Sequence, residues 1–206
     1  GRSRFGPSVF GCQAPDSGNA EILAKFGTPE QKTKYLQPLL NAEIASCYSM
    51  TEPQAGADPG EFLCTATRDG NEWVINGEKW FASHARFSAF LLVMVVTDTE
   101  APIHQGASIF LVEQGTPGMD IIRNSAVGPY VEQGDGVHAY ISFKDCRVPA
   151  HNLLGDEGQG FHVAQTRLGG GRVHHAMRTV GVIRKALDMM CERAVSRRTK
   201  GELLAD

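Results

Sequence analysis

The sequence lacks most of the marks of a structural metal, a disulfide framework or a nucleic-acid surface. Its cysteines, Cys12, Cys47, Cys64, Cys146 and Cys191, are odd in number and show no C-x-x-C spacing. A zinc site and a disulfide scaffold are both disfavoured, and a reducing compartment fits better. A basic excess is missing too. Lys plus Arg number 20 against 23 Asp plus Glu, a net charge of −3, without the positive footprint of a nucleic-acid binder. The longest apolar run, Ala89 to Val96, is too short to span a bilayer. Gly169-Gly170-Gly171-Arg172 lacks both the G-x-G-x-x-G pattern and the Walker Lys-Ser/Thr, so by itself it implies no phosphate site. No signal peptide is visible. The chain opens Gly1-Arg2-Ser3 without an initiator Met, and its natural start is expected upstream. What is present is ordinary for a soluble domain: 42 % hydrophobic and 21 % charged residues in a chain of 206.

The hydrophobic period changes twice along the chain, from helix to strands and back. Ala20 to Phe26 predicts a short helix closed by Gly27. Thr28, Pro29 and Gln31 then predict a capping box with Pro at the first helical position. Tyr35, Leu36, Leu39 and Leu40 follow at helical spacing, and Pro38 is expected to bend or end that helix. From Ile44 the pattern reads as strands: Ile44 to Met50, Phe62 to Thr67, Phe90 to Val96 (apolar on both faces), Ser108 to Val112 and Val137 to Phe143. Thr51 to Asp58 reads as a loop. Asp69-Gly70 and Asn76-Gly77 predict two hairpin turns around Trp73-Val74-Ile75, Glu78 to Ala82 continues the meander, and Lys144-Asp145 predicts another turn. Six or seven short strands with frequent turns predict an antiparallel sandwich or barrel. Beyond Pro149, Phe161 to Leu168 reads as helix interrupted by Gly169-Gly170-Gly171, and Arg172 to Arg198 as a long helix. Its stripe of Val173, Met177, Val180, Ile183, Leu187, Met190 and Ala194 needs partners that are expected beyond Asp206.

Taken residue by residue, the chemistry is sparse. Glu52, Asp58 and Glu61 flank a loop that follows a strand, and Thr51 and Ser83 place hydroxyls beside Trp80 and Phe81. That set suits a planar heteroaromatic ligand, although turn residues plus core aromatics is the plainer reading. His174-His175 point to different helix faces and have no Cys or carboxylate at ligand spacing, so ordinary helix residues are the better reading there.

Three blocks carry a resemblance to a known family. The stretch Cys47-Tyr48-Ser49-Met50-Thr51-Glu52-Pro53-Gln54-Ala55-Gly56-Ala57-Asp58 resembles the Y-x-x-T-E-P-x-A-G-S-D signature of the acyl-CoA dehydrogenases. Val74-Ile75-Asn76-Gly77-Glu78-Lys79-Trp80-Phe81-Ala82-Ser83 resembles the family's V-I-N-G-x-K-x-W-I-T/S block. Phe143 to Pro149 is similar to F-x-x-V-x-V-P. The resemblance runs from Cys12 onward and implies an α+β fold: an antiparallel, barrel-like middle domain flanked by helical segments. Residues 1–43 would end an N-terminal helical domain, 44–150 form the β-domain, and 151–206 begin a C-terminal helical bundle.

The same resemblance implies an FAD enzyme that converts an acyl-CoA thioester to the trans-2-enoyl-CoA. Electron-transfer flavoprotein is the implied acceptor, and a homo-dimer or tetramer the implied assembly, with no nucleic-acid partner and no transmembrane segment. The compartment would be the cytoplasm in a bacterium or the mitochondrial matrix in a eukaryote. Tyr48, Met50 and Thr51 match flavin-contacting positions. Phe81 stands where the family has a Trp against the ring, and Ser83 where a hydroxyl meets flavin N5. Arg197 and Thr199 match residues that reach the FAD pyrophosphate of a neighbouring subunit, with Lys200 in place of the usual Phe. Arg172 matches an Arg beside the acyl-CoA site, and Ala57 replaces a Ser that contacts substrate. No catalytic residue is assigned. The position before Arg172 is Gly171, and the base is expected beyond Asp206. An acyl-CoA oxidase and a non-catalytic scaffold are the competing readings.

Overall fold

Every side chain from Phe90 to Val96 is buried, and this strand organises the fold. In the computed structural model, which describes residues 2, 3, 5–125 and 138–205, it belongs to a mixed sheet. The strands are β1 (Ser46–Ser49), β2 (Thr65–Asp69), β3 (Glu72–Ser83), β4 (Phe90–Val96), β5 (Ala107–Glu113), β6 (Met119–Ser125) and β7 (His138–Pro149). The order is β1-β4-β2-β3-β7-β6, with β5 paired to β4. Pairings β2–β3, β3–β7, β6–β7 and β4–β5 are antiparallel. Against the antiparallel expectation, β1 runs parallel to β4, and Thr65 of β2 pairs parallel with Val96. The strand expected from Val137 is described from His138; Val137 itself lies outside the described residues.

The alternation along β4 explains its two-sided burial. Leu91, Val93 and Val95 enter a core with Trp73, Ile75, Phe110, Ile141 and Phe143. Phe90, Leu92, Met94 and Val96 pack on the other face against Ile22, Leu23, Tyr35, Leu39, Val163 and Ala164. Ile22 and Leu23 come from helix α1 (Asp16–Phe26), which Gly27 caps with its backbone N–H on the Leu23 carbonyl. Gly27 does so in an extended conformation, without a left-handed turn. The capping box forms as expected: the Thr28 side chain accepts from Gln31 N, and Gln31 accepts from Thr28 N. Pro38 does not end the helix. A π-helical stretch, Lys32–Leu36, passes directly into Gln37–Leu40, so Pro38 lies inside a continuous helical run. It comes just after a widened turn in which the Gln37 N–H reaches the Lys32 carbonyl, an irregularity of the kind that accompanies proline in helices.

Three local expectations are overturned. Asn76-Gly77 is no hairpin turn, because β3 runs through it with a register shift between Ile75 and Gly77. Gly77 has φ +137°, and a Cβ there would lie 2.6 Å from the Cα of Cys64. The glycine serves a close approach of β3 to Cys64, the residue just before β2. Lys144-Asp145 is likewise inside β7; Asp145 has φ +49°, and its N–H donates to Asn76 Oδ1 at 2.8 Å. Gly169-Gly170-Gly171 does not interrupt the last helix, α2 (Gly160–Ala194). Three interior glycines cost about 1 kcal/mol each relative to Ala, a penalty a 35-residue helix can absorb. The Asp69-Gly70 hairpin is present, with Gly70 at φ +59°.

Residues Ala14–Arg167 form one compact unit, and Gly1–Gln13 with Leu168–Asp206 another. In the second, Arg2 pairs with Asp188 at 2.7 Å. Val173, Met177, Val180, Ile183, Leu187 and Met190 are exposed along α2. The helix stops at Ala194, short of the expected Arg198. Arg197 follows it, and Thr199 lies in a two-residue hairpin, Arg198–Thr199 against Glu202–Leu203, turned by Lys200 and Gly201 at φ +53° and +91°. No helix among the described residues is long and apolar enough to cross a membrane.

Candidate functional site

The loop after β1 is locked to β3 by a buried ion pair. Lys79 alternates in step with Trp73 and Ile75, so its side chain points inward, where it is fully buried. Its Nζ donates to Glu52 Oε1 at 2.7 Å and to the Met50 carbonyl at 2.8 Å, and lies 4.5 Å from the Phe62 ring centre. Burial pushes the ammonium below its ordinary pKa, while Glu52 pulls it back up. Glu52 also accepts from the N–H groups of Leu63 and Cys64 and from Gln54. Lone-pair capacity and charge are thus both met, the condition for tolerating a buried carboxylate.

With the loop fixed, Thr51 reaches the end of β3: its carbonyl accepts from Trp80 N at 2.8 Å. There β3 is irregular. A second register shift between Lys79 and Ala82 marks a bulge, and Phe81 sits in it at φ +57°. For a bulky residue that backbone is an outlier, and bulges of this kind re-aim side chains beside functional sites. Phe81 is 53 % exposed. It stacks on Trp80 at 4.8 Å with an interplanar angle of 5°, and the Arg123 guanidinium lies 5.1 Å from the Trp80 ring centre. Trp80 Nε1 donates to Ser125 Oγ at 3.0 Å. Two residues on, Ser83 Oγ is 2.6 Å from His138 Nδ1. His84 follows at φ +71°, and its buried Nδ1 has no hydrogen-bond partner among the described residues.

Phe81 and Ser83 therefore lie together at the C-terminal end of β3, an interior strand of the sheet, and the Thr51 carbonyl is tied to the same end through Trp80. Met50 contributes its carbonyl to the Lys79 anchor. Tyr48 is differently engaged: the Arg167 guanidinium lies 3.9 Å from its ring centre, its hydroxyl donates to Met50 Sδ, and enclosure pushes its pKa up to about 12. Arg167 in turn donates to Asn19 Oδ1, and burial lowers its pKa. Ala57 is exposed in the loop. Arg172, on α2, and Arg197 and Thr199, beyond it, belong to the other compact unit and are exposed there. Lys79, His138 and Arg167 contact the sequence-predicted site residues or their backbone but were not among the site residues expected from the sequence, although Lys79 lies within the second motif block. For Lys79 the signal was available, since its parity with Trp73 and Ile75 places a cation in the core.

The profile of the acyl-CoA dehydrogenase middle domain matches residues 47–146, and that of the C-terminal domain matches 158–206. The human acyl-CoA dehydrogenase family member 11 is 45 % identical over 201 residues, 96 % of this chain and 26 % of its own length. The chain belongs to the acyl-CoA dehydrogenase family. A Mycobacterium abscessus protein assigned to the same acyl-CoA dehydrogenases superposes with a TM-score of 0.91 at 41 % identity, over 100 % of this chain and 51 % of that one. Butyryl-CoA dehydrogenase from Megasphaera elsdenii gives 0.81 at 30 % identity, over 91 % and 48 %. The chain thus spans about a quarter of the human relative and half of these structures.

Members of the acyl-CoA dehydrogenase family use FAD, and the residue types at this end of β3 suit an isoalloxazine ring. Phe81 supplies an exposed aromatic side chain on a strained backbone, and Ser83 and the Thr51 loop supply hydroxyl-bearing residues beside it. Small-molecule sites typically combine those parts.

Proposed function

We propose that the protein containing this chain oxidises an acyl-CoA thioester between its α and β carbons, with FAD as the hydride acceptor. The observation that carries the reading is Phe81, held at φ +57° on a bulge beside Ser83 and the Thr51 loop. A backbone strain of about 1–3 kcal/mol persists only where surrounding structure enforces it, and it clusters at ligand-holding sites. When bound, the flavin supplies the redox chemistry. The chain's own residues position and tune. Phe81 offers a ring face, without the indole N–H that a Trp would add. Thr51 offers a hydroxyl to the pyrimidine edge of the ring, and Ser83 one to N5. The Glu52–Lys79 pair keeps Thr51 in place through Met50 and Trp80.

In the same reading Arg172 serves the acyl-CoA side, while Arg197 and Thr199 reach the pyrophosphate of FAD in a neighbouring subunit. A guanidinium suits bidentate phosphate contact. No proton-abstracting carboxylate is assigned among these residues; Gly171, which precedes Arg172, has no side chain to supply it. Electron-transfer flavoprotein is the proposed acceptor and a homo-oligomer the working form. Purified full-length protein should show a flavin visible band that bleaches on anaerobic addition of an acyl-CoA. A colourless protein that takes up no FAD would refute the proposal, and bleaching followed by rapid recovery in air would point to an oxidase.

A further inference from the structure

We propose that His138 is a positioning residue that decides whether the Ser83 hydroxyl donates or accepts toward its second partner. The inference rests on the reading of Ser83 as the flavin N5 partner and deepens it. Ser83 and His138 face each other directly in the β3–β7 register, and their side chains meet at 2.6 Å between Oγ and Nδ1. The imidazole is held in that place. The Phe81 ring meets it edge-on at 6.3 Å and 74°, and Ser125 of β6 is its register partner on the other side. The Ser125 hydroxyl oxygen accepts from Trp80 Nε1 and Arg123, while Ser83 stands within hydrogen-bond reach of the imidazole.

A serine hydroxyl has one proton and two lone pairs, and a histidine Nδ1 either accepts or donates. If Nδ1 carries a lone pair, it takes the Ser83 proton, and Oγ presents only lone pairs to a second partner. If Nδ1 carries the proton, it donates to Oγ, and the Ser83 hydroxyl proton is released toward the second partner. Oxidised flavin N5 is an acceptor, whereas reduced N5 bears a hydrogen and donates. An accepting His138 therefore favours the reduced cofactor and a donating His138 the oxidised one. Ser83 alone could rotate to serve either; with His138 it cannot do so freely.

The test is a double-mutant cycle on the midpoint potential of FAD bound to the full-length protein, using wild type, His138→Leu, Ser83→Ala and the double variant. His138→Leu should change the ratio of affinities for reduced and oxidised flavin several-fold. Tenfold corresponds to about 30 mV for a two-electron couple. In the Ser83→Ala background the same replacement should move nothing. His138→Asn, which can place either Oδ1 as acceptor or Nδ2 as donor near the position of Nδ1, should restore part of the wild-type value. Equal shifts in both backgrounds, or no shift with Ser83 present, would overturn the inference. An unmoved potential in Ser83→Ala alone would instead remove the N5 reading. If His138→Leu fails to load FAD, the ¹⁵N shift of His138 Nδ1 in flavin-free protein decides: it should move on Ser83→Ala, and an unmoved shift overturns the pairing.

Discussion

Breaking the Glu52–Lys79 pair should cost far more than its position near a loop suggests. Both side chains are buried, Lys79 fully, at 2.7 Å. Removing one member of a buried pair typically costs about 3–5 kcal/mol, because the remaining charge is left in a poor solvent. The two single variants should not be equal. Lys79→Met leaves the Glu52 carboxylate with the Leu63 and Cys64 N–H groups and Gln54, so about 3 kcal/mol is expected. Glu52→Ala leaves the ammonium with the Met50 carbonyl and the Phe62 ring alone, and strips two backbone donors of their acceptor. About 5 kcal/mol is expected there. Urea denaturation of both singles and the double gives the coupling. The double variant should fall well short of the sum; additive losses would refute the claim that the two charges compensate each other.

The pH dependence has a definite sign. Burial lowers the Lys79 pKa in the fold, and removing the countercharge with Glu52→Gln lowers it further. Between that folded pKa and the unfolded value near 10.5, the unfolded chain binds more protons, so stability rises with pH. The deficit of Glu52→Gln against wild type should therefore shrink as pH is raised from 7 toward 10. A deficit that widens would show that Lys79 is not the group being destabilised.

Other expectations follow from single positions. Gly77→Ala should destabilise by more than about 2 kcal/mol, since it combines a left-handed backbone with a Cβ 2.6 Å from Cys64 Cα; a thermal melt within a degree of wild type would refute it. Phe81→Gly should leave the melting temperature unchanged or raise it, by relieving roughly 1 kcal/mol of strain, while FAD affinity falls in a fluorescence titration; unchanged affinity would remove the ring from the site. Arg197→Ala should lower both flavin content and oligomer mass in light scattering, because a phosphate contact between subunits is lost; a fully flavinylated oligomer across dilution would make Arg197 an ordinary solvated residue.

How far these features were legible depends on the range of the interaction behind each. The Thr28 capping box, the Asp69-Gly70 hairpin and the all-apolar β4 were readable because their causes lie within a few residues. Asn76-Gly77 carries the same turn chemistry as Asp69-Gly70 and yet lies inside a strand. Its glycine answers to Cys64, 13 residues earlier, and its asparagine to Asp145, 69 residues later. No local rule contains either partner. The parallel pairing of β1 with β4 was hidden for a similar reason, since it joins segments separated by two other strands.

The candidate site divides in the same way. Thr51, Phe81 and Ser83 were legible as motif positions, but the motif gives identity and not conformation. That Phe81 is strained, that Trp80 stacks on it, and that Thr51 is tied to Trp80 through its carbonyl are results of sheet register. His138 shows the limit most clearly. In the sequence it is a lone histidine 55 residues from Ser83, with nothing beside it to suggest chemistry. Only the β3–β7 pairing sets the two opposite each other, and the register shifts within that pairing determine which strand face each side chain takes. A one-residue slip would turn a side chain to the other face. The bulge at Phe81 and the pairing of Ser83 with His138 are thus coupled, because the same irregularity that exposes the ring also sets the register two residues later. Straightening the bulge with a residue that disfavours φ > 0, as in Phe81→Val, should therefore disturb both. The His138 Nδ1 resonance should shift in Phe81→Val and stay near wild type in Phe81→Gly. An equal shift in both variants would show that loss of the phenyl ring, and not register, is what His138 senses.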